Sequence, residues 1–259
     1  MTSPGALYLV PTPLDHGCAQ TAPLGDVLPL HTLQTAASIT HWIGENAKST
    51  RAFLKRVDTL VPLAQPIQAQ HITELPREVH KKGDHGGAAR PEARAWLAPA
   101  LQGHDIGLIS EAGMPAIADP GSSVVRAAHQ MGLRVVPLVG PVSILLTLAA
   151  SGLNGQNFAF VGYLPQDAAK RTQRIQALEQ LARKSGQAQL FIETPYRNTA
   201  LLQALLATLR DDTWLALACG LTLPEQQIRS APVRQWKADA PALDAWRAQR
   251  LPTVFALGA

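Results

Sequence analysis

Cysteine is scarce in this chain of 259 residues, and its two copies, Cys18 and Cys219, lie far apart in the sequence. Neither a CxxC pair nor a zinc-type spacing is present, so the sequence predicts no disulfide framework and no structural metal site. His80 and His85 stand in a glycine-rich stretch, which indicates a basic loop rather than metal ligands. We therefore expect a metal-free protein of a reducing compartment, the cytoplasm.

Charged residues make up only 16% of the chain and aromatic residues only 5%. The longest apolar stretch, 133–150, contains an arginine, two prolines and a glycine, which argues against a membrane-spanning helix. The amino terminus lacks the basic region of a secretory signal. With 46% hydrophobic residues, the chain can bury a substantial core, so intrinsic disorder is excluded for most of it.

Several frequent motifs are missing as well. No GxxxxGK[ST] sequence occurs, and no GxGxxG follows the first predicted strand, which argues against a nucleotide triphosphatase and a typical dinucleotide-binding protein. The absence of HExxH and of GxSxG before a helix argues against two common classes of hydrolase. The remaining expectation is a ligand held mainly by backbone and apolar contacts.

What the chain contains is an alternation of short apolar runs with longer helical patterns, which predicts an α/β fold with a mixed sheet. The segment 151–157, SGLNGQN, is small, polar and without periodicity, so we expect a domain boundary there, with domains at 1–153 and 157–259. Strands are predicted at 6–10, 41–44, 67–75, 105–110, 134–138, 158–162, 189–193, 214–219 and 253–257, helices at 48–57, 91–101, 121–131, 141–151, 170–184 and 198–209, and a pair of extended segments at 226–236.

Three loops in the first half place glycine and proline where a predicted strand stops, at 10–13, 110–121 and 138–143. In open α/β sheets, ligands bind beyond the carboxyl ends of the strands, and small residues let the backbone approach them closely. These loops therefore predict a binding site. The excess of 23 basic over 19 acidic side chains, a net charge of +4, permits an anionic partner, and the basic segment 77–94 is the candidate clamp for RNA.

The run LISEAGMPAIADPG at 108–121 resembles the signature of the tetrapyrrole-methylase-type, S-adenosylmethionine-dependent methyltransferases. The resemblance is greatest to the branch that methylates the 2′-oxygen of cytidine ribose in small-subunit ribosomal RNA. Further matches occur in family order: LYLVPTP at 7–13, VPLVGP at 136–141 with SGL at 151–153, GYLP at 162–165 and ETPYR at 193–197.

This resemblance implies two α/β domains with the cofactor in the cleft between them, a homodimer, S-adenosylmethionine as cofactor, and RNA of the small ribosomal subunit as partner, without metal or membrane. The residues expected to contact the cofactor come from strand ends of both halves. They are Pro11, Gly113, Met114, Pro115, Ala116, Ile117, Pro141 and Ser143, with looser matches at Leu164, Ala218 and Pro252.

The chain departs from the branch where the acceptor is expected. Asp15 and His16 replace a Gly-Asn pair, residues 47–51 differ from an Asp-Thr-Arg sequence, and Tyr196 replaces a histidine. The candidate catalytic residues are Glu45, Arg51 and Glu111, because a ribose hydroxyl needs a base or a cation to become a nucleophile.

Each candidate residue also has a structural interpretation. Glu45 would serve equally well as a helix cap, and Arg51 or Lys48 as a solvated helix charge or a phosphate ligand. Asp119 is expected to cap the following helix. Tyr196 and Arg197 would either stack on a nucleotide or pack at a helix start.

Three functions fit these observations. The first is methylation of RNA, the second is methylation of a tetrapyrrole or other small molecule, and the third is a cofactor-binding module that has lost catalysis. The departures on the acceptor side motivate the third.

Overall fold

The computed structural model describes residues 3–15, 17–76, 91–239, 246 and 250–259. The chain forms two compact units, Met1–Val142 and Ser143–Ala259. The division falls upstream of the linker expected at 151–157, because the helix that precedes this linker packs on the strands of the second unit. The cofactor cleft between two domains stays a prediction.

The first unit is built on a five-stranded sheet in the order β3-β2-β4-β1-β5, in which every neighbouring pair is parallel. A parallel sheet is covered on both faces, which explains the nearly continuous apolar character of its central strands. Its strands are β1 (Ala6–Val10), β2 (His41–Gly44), β3 (His71–Glu74), β4 (Ile106–Ile109) and β5 (Arg134–Pro137).

Alternate residues of these strands enter two separate cores. On one face, Trp42 packs with Phe53 and Leu54, and on the other Ile43 packs with Leu97 and other residues of the opposite helices. The first core is covered by α2 (Leu30–Ser38) and α3 (Ala47–Asp58), which follow the short α1 (Leu24–Val27). The second core is covered by α4 (Pro91–Trp96), α5 (Ala98–Leu101) and α6 (Ser122–Gln130).

Gly107 makes room for the largest of these core side chains. A Cβ atom at this position would lie 2.5 Å from the Trp42 ring, so the indole packs directly on the β4 backbone. The indole N–H donates a 3.0 Å hydrogen bond to Gln70 Oε1, which gives the buried ring its polar partner.

Three histidine rings stack where β2, β3 and β4 begin, at the edge opposite the loops predicted to bind the ligand. The His41 ring lies 4.7 Å from His71 and 4.6 Å from His104, centroid to centroid. Burial lowers the pKa of His41, and the positive charges of His104 and His71 lower it further. These rings therefore favour the neutral state of the central histidine.

The second unit contains a mixed sheet in the order β6-β7-β10-β8-β9. Only β6 and β7 are parallel; the other pairs are antiparallel. The strands are β6 (Phe158–Tyr163), β7 (Ala188–Glu193), β8 (Trp214–Cys219), β9 (Gln227–Pro232) and β10 (Thr253–Gly258), and the helices are α7 (Ser143–Ser151), α8 (Ala168–Ser185), α9 (Asn198–Thr208) and α10 (Val233–Ala238).

Helix α7 packs on β8, β9 and β10, which is why it belongs to this unit. Ser230 Oγ of β9 donates a 2.6 Å hydrogen bond to the Ser151 carbonyl at the end of α7. Side chains of α8 and α9 join Phe191, Phe255 and the inward residues of β8 in a single core.

Several predicted elements differ from those observed. The extended pair expected at 226–236 is wrong in its second half, because α10 begins after Pro232 and buries Trp236, whose indole N–H donates to the Leu215 carbonyl at 2.9 Å. The strand expected at 67–75 begins as a 3-10 turn, Ile67–Ala69, and the helix expected at 91–101 is interrupted near Pro99, which has no N–H to donate.

Candidate active site

The loops after β1 and β4 are joined at the carboxyl edge of the parallel sheet. Thr12 and Gly113 form an antiparallel bridge, in which the Thr12 N–H donates to the Gly113 carbonyl at 3.0 Å and the Gly113 N–H to the Thr12 carbonyl at 3.1 Å. Ser110 Oγ donates a further 3.3 Å hydrogen bond to the Gly113 carbonyl. Two of the predicted cofactor loops therefore form one structure.

The third predicted loop contacts the first. A Cβ atom at Gly140 would lie 2.3 Å from Pro11 Cγ, so only glycine allows this approach. A Cβ atom at Gly113 would lie 3.5 Å from the Pro141 carbonyl oxygen. The structure thus brings together Pro11, Gly113 and Pro141, three of the residues expected to bind the cofactor.

The loop after β4 has an unusual backbone. Gly113, Ala116 and Ala118 all have positive φ, at 81°, 66° and 63°, and for alanine this conformation costs about 1 kcal/mol. Pro115 is buried, whereas Ile117 is 43% exposed. Backbone strain of this kind is concentrated at ligand-binding segments, so the geometry agrees with the predicted role of residues 113–117.

A cavity of about 350 Å³ opens beyond β1, β2 and β4, beside the first turns of α3. Asn46 caps this helix, since its Oδ1 accepts the N–H groups of Lys48 and Ser49 at 2.8 and 3.4 Å. The lining combines apolar walls with hydrogen-bonding side chains: Thr12, Pro13, Asp15, Asn46, Lys48, Ser49, Ala52, Phe53, Arg56, Ile109, Ser110 and Glu111. Such a mixture suits a small polar ring system.

A buried ion pair forms one wall of this cavity. Arg56 Nη1 lies 2.9 Å from Asp15 Oδ2, and the Asp15 side chain is only 8% exposed. Arg56 Nη2 also donates a 2.6 Å hydrogen bond to the Ala22 carbonyl, so the arginine ties the loop after β1 to α3. Sequence reasoning singled out Asp15 but missed Arg56, although a buried carboxylate requires such a partner.

Glu45 and Glu111 are connected where β2 and β4 end. The Glu111 N–H donates to Glu45 Oε1 at 3.3 Å, and Ser49 Oγ donates to Glu111 Oε1 at 3.3 Å. Arg51, the third catalytic candidate, lies on the exposed side of α3 and does not line the cavity. The structure thus places Glu45 and Glu111 together, and Arg51 apart from them.

Asp119 faces the same carboxylates. Its pKa is raised to about 7, mainly by burial and also by the negative charges of Glu45 and Glu111, although a hydrogen bond from Ser110 lowers it. The expectation that Asp119 caps the next helix is wrong, because the N-cap of α6 is Gly121, with a φ of 133°. Near neutral pH, Asp119 is therefore a partly protonated member of a carboxylate cluster.

In the second unit, one edge of the sheet brings together three of the remaining predicted cofactor residues, Leu164, Ala218 and Pro252. Thr253, at the start of β10, pairs with Glu193 on one side and Cys219 on the other. Buried Leu164 follows β6, buried Ala218 lies in β8, and the Pro252 carbonyl accepts the Gly220 N–H at 2.9 Å. Ser143 is the first residue of α7.

The connection between β8 and β9 at this edge offers unused polar atoms. Thr222 has a φ of 69°, a strained conformation for a β-branched residue. Within the part of the chain that the structure describes, Thr222 Oγ1 and Glu225 Oε2 are buried without a hydrogen-bond partner. Sequence reasoning missed both residues. Atoms of this kind suit the hydroxyl or amino groups of a bound ligand.

Two predictions concern residues outside the described ranges. The basic segment expected to clamp RNA falls largely there, at 77–90, as does His16. Among the residues that are described, no group of three His, Cys, Asp or Glu side chains is arranged to hold a metal ion. None of the described helices combines the length and apolar character needed to cross a membrane.

The two-unit α/β fold is shared with solved methyltransferases. Over 98% of this chain, the methyltransferase CobJ superposes with a TM-score of 0.55 at 18% identity, and the cobalt precorrin-4 methyltransferase CbiF with 0.54 at 12%; each match covers 94% of the other chain. The family model of the Tetrapyrrole (Corrin/Porphyrin) Methylases matches residues 29–236. The chain belongs to this family and is a methyltransferase, which requires a methyl-donor cofactor.

Curated relatives share more sequence identity with this chain than the solved structures named above. The "Ribosomal RNA small subunit methyltransferase I" of Escherichia coli O157:H7 is 30% identical over 231 residues, covering 89% of this chain and 70% of the relative. Its counterpart in Pseudomonas aeruginosa is 32% identical over 239 residues, covering 90% and 72%. The expected family and fold class are thereby confirmed.

Proposed function

We propose that this protein transfers a methyl group from S-adenosylmethionine to a ribose 2′-hydroxyl of ribosomal RNA in the small subunit. The observation that carries the proposal is the 350 Å³ cavity, which adjoins the loops expected to bind the donor. Its size and mixed lining suit one nucleoside. The relatives named for small-subunit ribosomal RNA methylation support the choice of acceptor. A cytoplasmic location is part of the proposal, because such a substrate is found there.

The residues present fit the proposed cofactor. S-adenosylmethionine needs an apolar slot and backbone partners, which the loops around Pro11, residues 113–117 and Pro141 offer in the first unit. The second unit offers Ser143, Leu164, Ala218 and Pro252, together with the unpaired Thr222 and Glu225 atoms. When bound, this cofactor supplies an electrophilic methyl group on a sulfonium, so the protein has only to align the acceptor and exclude water.

In the cavity, the acceptor nucleoside would lie between Phe53 and the polar side chains after β4. Lys48 lines the cavity and Arg51 projects from the same helix, so both add positive charge for the neighbouring phosphates. The ion pair between Asp15 and Arg56 holds the wall against which the nucleoside rests.

Glu111 is the proposed acceptor of the hydroxyl proton. It lines the cavity, Ser49 orients its carboxylate, and Glu45 holds its backbone N–H. Methyl transfer from the bound cofactor would leave S-adenosylhomocysteine and release the proton of the acceptor hydroxyl, and the Glu111 carboxylate would take this proton and pass it to solvent. General-base catalysis of this kind contributes about 10²–10⁴-fold to a rate.

The test is methyl transfer to small ribosomal subunits purified from a strain that lacks the gene. With labelled S-adenosylmethionine we expect label in the RNA, and mass mapping should locate it on a ribose. Glu111→Gln should slow the transfer about a hundredfold, while Glu92→Gln, an exposed carboxylate on α4, should not. Calorimetric binding of S-adenosylhomocysteine without any transfer to RNA would refute the proposed acceptor.

A tetrapyrrole acceptor is the second candidate, since the family model carries that name and one solved neighbour is named as a cobalt precorrin-4 methyltransferase. A bound macrocycle would shift its own absorption spectrum when the protein is added, and we expect no such shift. A protein that binds S-adenosylhomocysteine but methylates neither class of compound would instead be the cofactor-binding module suggested by the altered residues at 15–16 and 45–51.

We also propose a homodimer. Leu145 and Leu146 on α7 are exposed, which is unusual for two adjacent leucines of a helix that packs on a sheet. Light scattering on the purified protein measures the mass directly, and a monomer at micromolar concentration would refute the assignment.

A further inference from the structure

Two of the three tyrosines of the chain are exposed at one edge of the second unit. Tyr163 ends β6 and is 58% exposed, while Tyr196 follows β7 and is 69% exposed. Because β6 and β7 are parallel neighbours, both rings lie at their carboxyl ends. Large exposed aromatic side chains are the informative exceptions to burial, since they often mark binding surfaces.

Tyr196 is held on a rigid support. It lies within the 3-10 turn Pro195–Arg197, and the buried Glu193 carboxylate anchors this turn. Glu193 Oε1 accepts the Thr194 N–H at 2.7 Å and the Arg197 Nε–H at 2.9 Å. A ring on such a support loses little conformational freedom when it binds a partner.

Arg197 adds a cation beside this ring. Its guanidinium carbon lies 5.4 Å from the centroid of the Tyr196 ring, and its Nη2 lies 2.8 Å from Glu193 Oε1. A guanidinium has five N–H groups. The N–H on Nε and one on Nη2 are directed to Glu193, which leaves three N–H groups on a partly exposed side chain that suit a phosphate oxygen.

We propose that Tyr196 and Arg197 bind an unpaired nucleotide of the RNA, with its base stacked on the tyrosine ring and its phosphate at the guanidinium. This inference rests on the proposed function and extends it, because the nucleotide is separate from the acceptor that occupies the cavity of the first unit. An aromatic ring next to an arginine is the usual combination for binding single-stranded nucleic acid.

The test compares Tyr196→Ala with the wild-type protein in binding to a single-stranded fragment of small-subunit ribosomal RNA, measured by fluorescence anisotropy. We expect about tenfold weaker binding, since stacking of one base contributes about 1–3 kcal/mol. Tyr196→Phe and Tyr196→Trp should retain the affinity, because both keep a ring. In transfer assays the alanine variant should raise the KM for RNA and leave kcat unchanged.

Phe158→Ala is the matched control, because Phe158 is also an exposed aromatic residue and lies at the opposite end of β6. It should bind RNA like the wild type. The inference would be overturned if Tyr196→Ala bound RNA as tightly as the wild type. It would also be overturned if Phe158→Ala or Tyr196→Phe lost as much RNA affinity as Tyr196→Ala.

Further measurements separate this proposal from its competitors. If Tyr196→Ala lost as much affinity for S-adenosylhomocysteine as for RNA, the ring would belong to the cofactor site. If the variant had a different mass from the wild type in light scattering, the ring would lie between two copies of the chain. Either result overturns the inference. Tyrosine-dependent RNA binding without methyl transfer would refute the proposed function alone, whereas a wild-type protein that bound no single-stranded RNA would refute the nucleotide site itself.

Discussion

The two units use the same end of their sheets in different ways. In the first unit every strand is parallel, so the carboxyl ends lie at one edge and their loops line a cavity that combines apolar walls with polar side chains. In the second unit only β6 and β7 are parallel, and the corresponding edge mixes strand ends, strand starts and a connection between antiparallel strands. Parallel topology thus favours an enclosed pocket, and mixed topology a more open surface.

The placement of charge follows this difference. The first unit keeps an ion pair, Asp15 with Arg56, and a carboxylate cluster at its cavity. The second unit places the Glu193–Arg197 pair beside an exposed tyrosine. We interpret the first edge as the site of the acceptor chemistry and the tyrosine at the second edge as a site of recognition. The following variants test the first half of this comparison, and the Tyr196 variants described above test the second.

The largest effect is expected from Pro115→Trp in the buried part of the loop after β4. An indole does not fit at this position, so binding of S-adenosylhomocysteine should be lost by calorimetry. Leu60→Trp, at an exposed position after α3, is the control and should bind normally. Unchanged binding in a folded Pro115→Trp protein would remove this loop from the cofactor site.

Arg56→Ala should have the next largest effect, on the stability of the first unit. It leaves the Asp15 carboxylate buried without its cation, which should lower the free energy of unfolding by about 2 kcal/mol. Urea unfolding measures the loss. Adding Asp15→Asn should restore part of it, and Lys55→Ala on the solvent side of the same helix should cost little. If Arg56→Ala and Lys55→Ala lowered the free energy of unfolding by the same amount, a special role for the ion pair would be contradicted.

Asp119→Asn should make the stability of the first unit less sensitive to pH. The folded-state pKa of about 7 lies above the ordinary value of 3.8, so the folded wild type binds more protons between these values. Its stability therefore falls as pH rises from about 4 to 7. The asparagine variant should avoid this loss and gain about 2.5 kcal/mol relative to wild type at pH 8 compared with pH 5. A constant difference in Tm across this range would contradict the raised pKa.

The smallest effect concerns the histidine stack at the opposite edge of the first unit. Since the pKa of His41 is lowered on folding, the unfolded chain binds more protons below its ordinary value of 6.5, and stability should fall as pH decreases through 6.5. His41→Phe keeps an aromatic ring in the stack but has no titrating group. The pH-dependent part of the free energy of unfolding should therefore be smaller in the variant by about 0.5 kcal/mol or less. A Tm profile of the variant that matched the wild type between pH 5 and 7.5 would argue against the stack as its source.

Much of the fold follows from local sequence patterns. Strands β1, β8 and β10 are apolar runs bounded by glycine, proline or polar residues, and the predicted limits differ from the observed ones by one residue at most. Helices α1 and α2 were not predicted, although both begin directly after a proline, at 23 and 29, and proline is favoured near helix starts. Helix α10 depends on burial of Trp236 against β8, which no local pattern reveals.

The candidate site also combines features that the local sequence predicts with features that it does not. The loops with glycine and proline are visible in the sequence, because the residues that permit their backbone conformation are themselves the signal. The partnership of Arg56 with Asp15 joins residues 41 positions apart, and the environment of Asp119 depends on carboxylates from two different strand ends. Contacts of this range are set by the sheet order rather than by sequence spacing.

The bridge between Thr12 and Gly113 has a consequence for how the first unit responds to ligands. Two reciprocal hydrogen bonds join loops that lie a hundred residues apart in sequence, so neither loop can open alone without breaking both bonds. A ligand that contacts either loop should therefore slow hydrogen–deuterium exchange at both amides to a similar degree. If the opposite loop binds the methyl donor as proposed, linkage requires that an acceptor bound at Thr12 changes the affinity for the donor by the same factor by which the donor changes the affinity for the acceptor.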